Sequence, residues 1–161
     1  MKQRVITAIC ILVVAIPCIV LGGALLDCLV VFCALAGTYE YLHACMPERN
    51  TLFNTLLALL AVPAVINIFL PAGYTLILAT IVLVVLYFFN IFNEKLDIEK
   101  ISYLFQMFML VTLGVRAFKD IRALGFNAVI YILLLTYVND SMAMIGGKYL
   151  GKHKLIPRIS P

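Results

Sequence analysis

Six long runs of apolar residues, separated by short polar or glycine-containing breaks, account for most of this chain. Each run is close to the ~20 mostly apolar residues that a helix needs to cross the ~30 Å hydrocarbon core of a bilayer. We place the predicted spans at residues 5–21, 24–44, 51–70, 74–92, 101–118 and 124–140. The pattern predicts an all-α, polytopic integral membrane protein with about six transmembrane helices, followed by a polar segment at 141–161.

The breaks between the predicted spans contain residues that turn or end helices. Gly22–Gly23 and Pro71–Ala72–Gly73 are predicted turns, because glycine and proline favour such conformations. No charged residue occurs between Asn50 and Asn93. That stretch is too long for one span and suits two, with the proline-containing turn between them.

The composition indicates a chain solvated mainly by lipid. Apolar residues make up 65% and charged residues 12%, whereas a soluble domain has about 25% charged residues. The Lys and Arg residues lie mostly at the chain start, in the breaks and near the C-terminus, and not along one solvated face. This distribution argues against a surface for nucleic acid and is typical of a polytopic membrane protein.

The first apolar run also resembles a signal peptide, since Lys2 and Arg4 precede it. The run extends from Val5 to Leu26, which exceeds the about 7–15 residues of a signal-peptide core. More membrane-like sequence follows it in place of a polar mature domain. We therefore interpret this run as an uncleaved first span.

The distribution of Lys and Arg predicts the orientation of the spans. If the N-terminus is cytoplasmic, nine of the 12 basic residues lie on the cytoplasmic side and three on the other. The positive-inside rule favours this arrangement, with the N-terminus and segment 141–161 in the cytoplasm. Arg116, Lys119 and Arg122 are the three exceptions, and they fit the rule poorly because they cluster at the end of the fifth span.

Asp140 follows the sixth apolar run without an intervening loop. If the helix continues, Thr136, Asp140 and Gly147 share one face, since their spacings are four and seven residues. A carboxylate in mid-membrane costs about 2.5–3.5 kcal/mol and is usually functional or paired. The alternative is an interfacial residue in water at the end of the span, and the sequence leaves both interpretations open.

A compact group of basic residues follows this span, comprising Lys148, Lys152, His153, Lys154 and Arg158. Lysine supplies point charges and arginine a bidentate fork, and both suit phosphate groups. The same group also suits a juxtamembrane patch that fixes topology and attracts anionic lipid, at about 1 kcal/mol per charge. Composition alone favours the second interpretation.

Three short motifs change this balance: Asn139–Asp140–Ser141, Gly151–Lys152–His153–Lys154–Leu155 and Pro157–Arg158–Ile159–Ser160–Pro161. Together they resemble the central segment of bacterial phosphatidate cytidylyltransferases, also called CDP-diacylglycerol synthases. The chain start at residues 1–8 and Tyr39–Glu40 resemble this family as well. The resemblance covers the whole chain in its span pattern and is most specific in the last 25 residues.

The resemblance implies a nucleotidyltransferase of phospholipid biosynthesis in the inner (cytoplasmic) membrane of a bacterium. In the implied reaction, phosphatidic acid and CTP yield CDP-diacylglycerol and pyrophosphate. Such chemistry needs positioning, cations and Mg²⁺, which we expect in the complete enzyme. The implied partners are CTP, phosphatidic acid and the lipid bilayer, with a homodimer as a candidate assembly and no nucleic acid.

Six residues of this chain are candidates for the implied active site. Asp140 is the candidate catalytic residue, which would shape the polar cavity or assist a metal ion. Lys152, Lys154 and Arg158 are candidates for contacting phosphate. His153 and Ser160 are candidate hydrogen-bond donors.

The family pattern continues beyond residue 161 with Lys-Lys-Thr, further spans and a C-terminal signature that serves the metal and the phosphates. We therefore expect the main metal ligands there, and we expect this chain to be an N-terminal portion that is inactive alone. A fragment, a truncated frame and a split subunit remain open. The alternative function is a non-enzymatic membrane protein, such as a transporter portion or a scaffold, because interrupted spans with one intramembrane carboxylate also occur in transporters.

Overall fold

A computed structural model describes residues 2–93 and 96–150. These residues form helices and connections, with no strand among them. The helices are α1 (Lys2–Leu21), α2 (Gly23–Cys45), α3 (Thr51–Phe69), α4 (Thr75–Phe92), α5 (Ile98–Ala123) and α6 (Phe126–Leu150). A single 3₁₀ turn at Ala72–Tyr74 precedes α4.

Five helices of the described chain are long and apolar enough to cross a membrane. They are α2 to α6, with α4 extended by its 3₁₀ turn and α6 counted over Phe126–Gly147. The apolar part of α1 is shorter, at Ile9–Leu21, and most of its large side chains are exposed. The predicted class, an all-α polytopic membrane protein, is confirmed.

The helix α5 lies at the centre of the bundle and packs against α2, α3, α4 and α6. One core cluster joins α2, α3, α4 and α5 and includes Leu42, Phe53, Leu60, Leu86 and Phe108. A second joins α2, α3 and α5 through Leu26, Val30, Ala34, Ile68 and Val111. Lipid tails are as apolar as these side chains, so close packing rather than escape from water holds such helices together.

Successive helix connections gather at opposite ends of the bundle. The end containing the α1–α2, α3–α4 and α5–α6 connections is called the Gly22 end, and the other is called the Arg49 end. Gly22 has a φ of +68°, a left-handed conformation that favours glycine. A Cβ atom on Gly22 would lie 3.2 Å from Nη2 of Arg122, so the predicted glycine turn also makes room for a side chain of α5.

The helix α6 continues to Leu150, beyond the predicted end of the sixth span at residue 140. Helical hydrogen bonds join backbone groups, so the polar sequence Asn139–Asp140–Ser141 does not interrupt them. Val129 near the helix start is buried, whereas the side chains from Ile130 to Ile145 are exposed. Most of the surface of α6 therefore faces away from the rest of the described bundle.

Candidate active site

Asp140 lies inside α6 and not at its end. At a rise of 1.5 Å per residue, it stands roughly 21 Å along the helix axis from Phe126. The portion of α6 that is long and apolar enough to cross a membrane, Phe126–Gly147, includes Asp140. The helix therefore favours a position of Asp140 within the membrane over one in water beyond the span.

Polar and small residues share the Asp140 face of α6. At 3.6 residues per turn, Thr136, Asn139, Asp140 and Gly147 fall within a sector of about 100°. The Thr136 hydroxyl donates to the Ile132 carbonyl at 2.9 Å and is satisfied within the helix. Asp140 is exposed, and no basic side chain that the structure describes lies within 4.0 Å of its carboxylate. Since a carboxylate at that depth is costly against lipid, this face is expected to border protein or a water-filled cavity.

The other predicted site residues are Lys152, His153, Lys154, Arg158 and Ser160, and all five lie outside the described residues. The helix that holds Asp140 carries the chain to Leu150, so these residues follow it directly in sequence. Their contacts with phosphate stay predictions.

The described residues do not form a metal site by themselves. Within 2–93 and 96–150, no three His, Cys, Asp or Glu side chains are grouped so that they could hold a metal ion. Mg²⁺ prefers an octahedral set of oxygen ligands, and Asp140 alone is one such group. The described side chains therefore do not complete a Mg²⁺ site, and the expectation that the main ligands lie beyond residue 161 stays a prediction.

Arg116, at the Gly22 end, binds the end of α3. Its Nη1 donates to the carbonyl oxygens of Asn67, at 2.8 Å, and Leu70. Its Nε donates to both carboxylate oxygens of Asp120, at 3.0 and 2.9 Å. The Asn67 carbonyl would ordinarily accept from the residue four positions later, which is Pro71 and has no N–H. Arg116 thus supplies the missing donor.

Arg122 and Lys119 bind the adjoining ends of α1 and α2. Arg122 donates from Nε to the Ile19 carbonyl at 2.7 Å and from Nη2 to the Val20 carbonyl at 3.0 Å. Lys119 forms an ion pair with Asp27 at 2.8 Å. Basic groups are favourable where helix C-termini leave carbonyls unpaired. These contacts explain why three cations lie at an end that the positive-inside rule assigns to the outside.

An aromatic and basic cluster lies at the Arg49 end. The Tyr39 ring stacks on His43, with centroids 6.0 Å apart, and meets Phe53 edge-on at the same distance. Arg49 donates to the Tyr39 hydroxyl and lies 5.5 Å from the centre of its ring. Glu40 is exposed and forms no ion pair with any side chain that the structure describes. Of the pair Tyr39–Glu40, only the tyrosine therefore takes part in packing.

A cavity of about 390 Å³ also opens at the Arg49 end, between the end of α2 and the start of α5. Its charged lining groups are Asp97, Glu99 and Lys100. The Asp97 carboxylate also accepts from the backbone N–H of Lys100 at 2.8 Å and caps α5. Two carboxylates and one amine do not suit a phosphate group, so this cavity is a poor candidate for a nucleotide site.

Comparison with known families decides what kind of protein this is. The model of the cytidylyltransferase family matches residues 2–161. The chain belongs to this family. The resemblance predicted from the motifs in residues 137–161 is therefore confirmed.

Three of the relatives that the chain matches are phosphatidate cytidylyltransferases of staphylococci. Identity is 30% over 169 residues for Staphylococcus aureus strain COL and 29% over 169 residues for Staphylococcus epidermidis. It is 29% over 175 residues for Staphylococcus haemolyticus. Each alignment covers 100% of this chain and 64% of the relative. No solved structure matches the chain.

The sequence of this family member predicts Asp140 as a site residue, but it does not indicate the roles of Arg116 and Arg122. The partners of Arg116 in α3 are 46 and 49 residues away, so no local motif joins them. One signal was available, since Pro71 leaves a carbonyl without its donor one turn earlier. That signal shows the need for a donor and not which residue provides it.

Proposed function

We propose that this chain forms part of a phosphatidate cytidylyltransferase that acts at the cytoplasmic membrane. The observation that carries the proposal is the alignment of the whole chain with relatives of that name. The aligned residues include Asn139–Asp140–Ser141 and Pro157–Arg158–Ile159–Ser160–Pro161. A scaffold or transporter portion would have no reason to carry both motifs in this order.

The reaction would be a displacement at phosphorus. A phosphate oxygen of phosphatidic acid attacks the α-phosphorus of CTP, and a new P–O–P bond forms. The bond from the α-phosphorus to the bridging oxygen breaks, and pyrophosphate leaves with that electron pair. Negative charge is concentrated in both reactants, so fixed cations lower the barrier by holding the phosphates together.

The chain would contribute to this reaction from α6 and the residues after it. Lys152, Lys154 and Arg158 would contact phosphate oxygens, with His153 and Ser160 donating further hydrogen bonds. Asp140 would keep a polar cavity open at a depth where lipid otherwise excludes water. Its carboxylate would also be available to a metal ion whose other ligands come from outside the described residues.

The orientation we propose places the N-terminus and residues 148–161, which follow the apolar portion of α6, in the cytoplasm, where CTP is available. The nine basic residues assigned to that side favour it. The three basic residues on the other side, Arg116, Lys119 and Arg122, are weak evidence against this orientation. Their charges are engaged with helix ends or a carboxylate.

A chimera tests the proposed activity. Residues 1–161 of this chain would replace the aligned segment of the Staphylococcus aureus relative, and membranes containing the chimera would receive phosphatidic acid and labelled CTP. Label at the α-phosphorus should enter chloroform-soluble lipid, whereas label at the γ-phosphorus should stay water-soluble as pyrophosphate. A chimera that reaches the membrane but transfers no α-label, or that transfers γ-label to lipid, contradicts the proposal.

Two substitutions in the chimera test the assigned residues. Asp140→Asn and Arg158→Ala should each lower the rate of α-label transfer by about 100-fold, the scale of losing one electrostatic stabiliser. Arg158→Lys should retain more activity than Arg158→Ala because the charge remains. Asn127→Ala is the matched control in α6, roughly 20 Å from Asp140 along the axis, and should leave the rate unchanged. Unchanged rates in both Asp140→Asn and Arg158→Ala would show that the site is assigned wrongly.

A further inference from the structure

An apolar groove lies between α1, α2 and α5, towards the Gly22 end. Its volume is about 330 Å³, and its lining includes Ala15, Ile19, Leu29, Cys33, Gly114 and Phe118. Cys33 and Gly114 are exposed, so the groove opens towards the surrounding lipid. A Cβ atom built on Gly114 would meet nothing within 4 Å, and the missing side chain is one reason for the gap.

The groove ends at a basic side chain. Phe118 lines the groove, and Arg122 is four residues further along α5, so both lie on one face of the helix. The Nε of Arg122 donates to the carbonyl of Ile19, which is itself a lining residue. The guanidinium is therefore fixed where the groove reaches the end of the bundle.

Arg122 retains capacity to bind an anion. A guanidinium has five N–H donors, and the carbonyls of Ile19 and Val20 take one each. No carboxylate among the described residues lies within 4.0 Å of Arg122. Lys119 is nearby in sequence but already pairs with Asp27 at 2.8 Å. A positive charge without a carboxylate partner thus stands at the membrane surface beside an apolar groove.

We propose that this groove binds an anionic phospholipid of the surrounding membrane, with one acyl chain between α1 and α5 and the phosphate on Arg122. The combination of an apolar channel at hydrocarbon depth and a cation at its interfacial end is complementary to such a lipid. The site is at the Gly22 end, where α6 begins roughly 21 Å from Asp140, and it is independent of the proposed catalysis.

Native mass spectrometry of the purified full chain tests this site without CTP. The delipidated protein would be titrated with phosphatidylglycerol and, separately, with phosphatidylcholine of the same acyl chains. We expect one phosphatidylglycerol per chain, bound about 10-fold more tightly than phosphatidylcholine. Equal affinity for the two lipids overturns the anionic preference, and so does a chain that retains neither.

Substitutions locate the bound lipid. Gly114→Leu fills the groove from an open position and should weaken phosphatidylglycerol binding about 10-fold. Ala117→Leu adds a leucine at an exposed position of the same helix outside the groove, and should leave binding unchanged. Arg122→Gln should bring phosphatidylglycerol binding to the level of phosphatidylcholine. Undiminished binding by Gly114→Leu, or a dimer that excludes lipid while covering Gly114, overturns the proposal.

Discussion

At the scale of single residues, arginine side chains of α5 close the ends of two other helices. The last carbonyls of a helix lack partners within it, so a donor from another helix can satisfy them. Arg116 serves α3 and Arg122 serves α1, each with the rigid fork of donors that lysine lacks. The Arg116 side chain is only 15% exposed, so its charge depends on the carbonyls of α3 and on Asp120.

Arg116→Ala should destabilise the fold by about 2 kcal/mol, since hydrogen bonds from charged groups contribute about 1.5–3 kcal/mol. The stability of Arg116→Lys should lie between those of the wild type and Arg116→Ala, because an ammonium keeps the charge but not the fork of donors. The measurement is unfolding of the purified protein in detergent micelles on titration with sodium dodecyl sulfate.

The exposed Arg49 provides the control, because its contact with Tyr39 is at the surface. Arg49→Ala should lower the free energy of unfolding by less than about 1 kcal/mol. Equal losses for Arg116→Ala and Arg49→Ala would show that the contacts with α3 do not stabilise the protein.

At the scale of helices, side-chain caps fix the first residues of the two helices α3 and α5, which begin at the Arg49 end. Asn50 accepts from the backbone N–H of Phe53 at 2.9 Å and begins α3. Asp97 accepts from the N–H of Lys100 at 2.8 Å and begins α5. These caps stand where the two long helices emerge from the apolar bundle, and they set where each helix starts.

Asn50→Ala should destabilise the fold by about 1 kcal/mol through loss of the cap. Asn50→Asp should retain most of the stability, because an aspartate oxygen also accepts from the backbone N–H. Asn54→Ala is the matched control, since Asn54 is exposed one turn later in α3. Unfolding in micelles and amide exchange of residues 51–54 report the change. Faster exchange in Asn54→Ala than in Asn50→Ala would contradict the capping role.

Hydrophobic runs predicted which segments are helical, but they did not predict where α5 and α6 end. Residues 101–118 contain the apolar part of α5, yet the helix extends to Ala123 because Arg116 and Arg122 find partners in other helices. Residue 140 ends the apolar run of the sixth span, yet α6 continues because polarity does not break backbone hydrogen bonds. The sequence indicates apolar helices well, whereas contacts between residues 46 or 103 positions apart emerge only from the fold.

The sequence predicted some parts of the candidate site better than others. Asp140 stood out because a carboxylate adjoining an apolar run is rare and costly. The local sequence could not show whether it lay inside the membrane, since that depends on whether the helix continues past Ser141. The prediction that Lys152, Lys154 and Arg158 contact phosphate rests on the family motif and not on charge, because a basic juxtamembrane patch has the same composition.

At the scale of the whole molecule, the two ends of the bundle have different chemistry. The basic residues of the Gly22 end are engaged with helix ends and a carboxylate. The Arg49 end has capped helix starts and an arginine on an aromatic cluster. In the proposed orientation, the Arg49 end faces the cytoplasm and the Gly22 end faces the opposite side.

Labelling of single cysteines from the two sides of the membrane tests this orientation most directly. The five native cysteines would be replaced by serine, and Ala72→Cys, Glu48→Cys or His153→Cys introduced one at a time. In intact cells, an impermeant maleimide should label Ala72→Cys and should reach the other two only after permeabilisation. Labelling of His153→Cys in intact cells at the rate of Ala72→Cys would contradict the proposed function, because cytoplasmic CTP could not reach Lys152, Lys154 and Arg158.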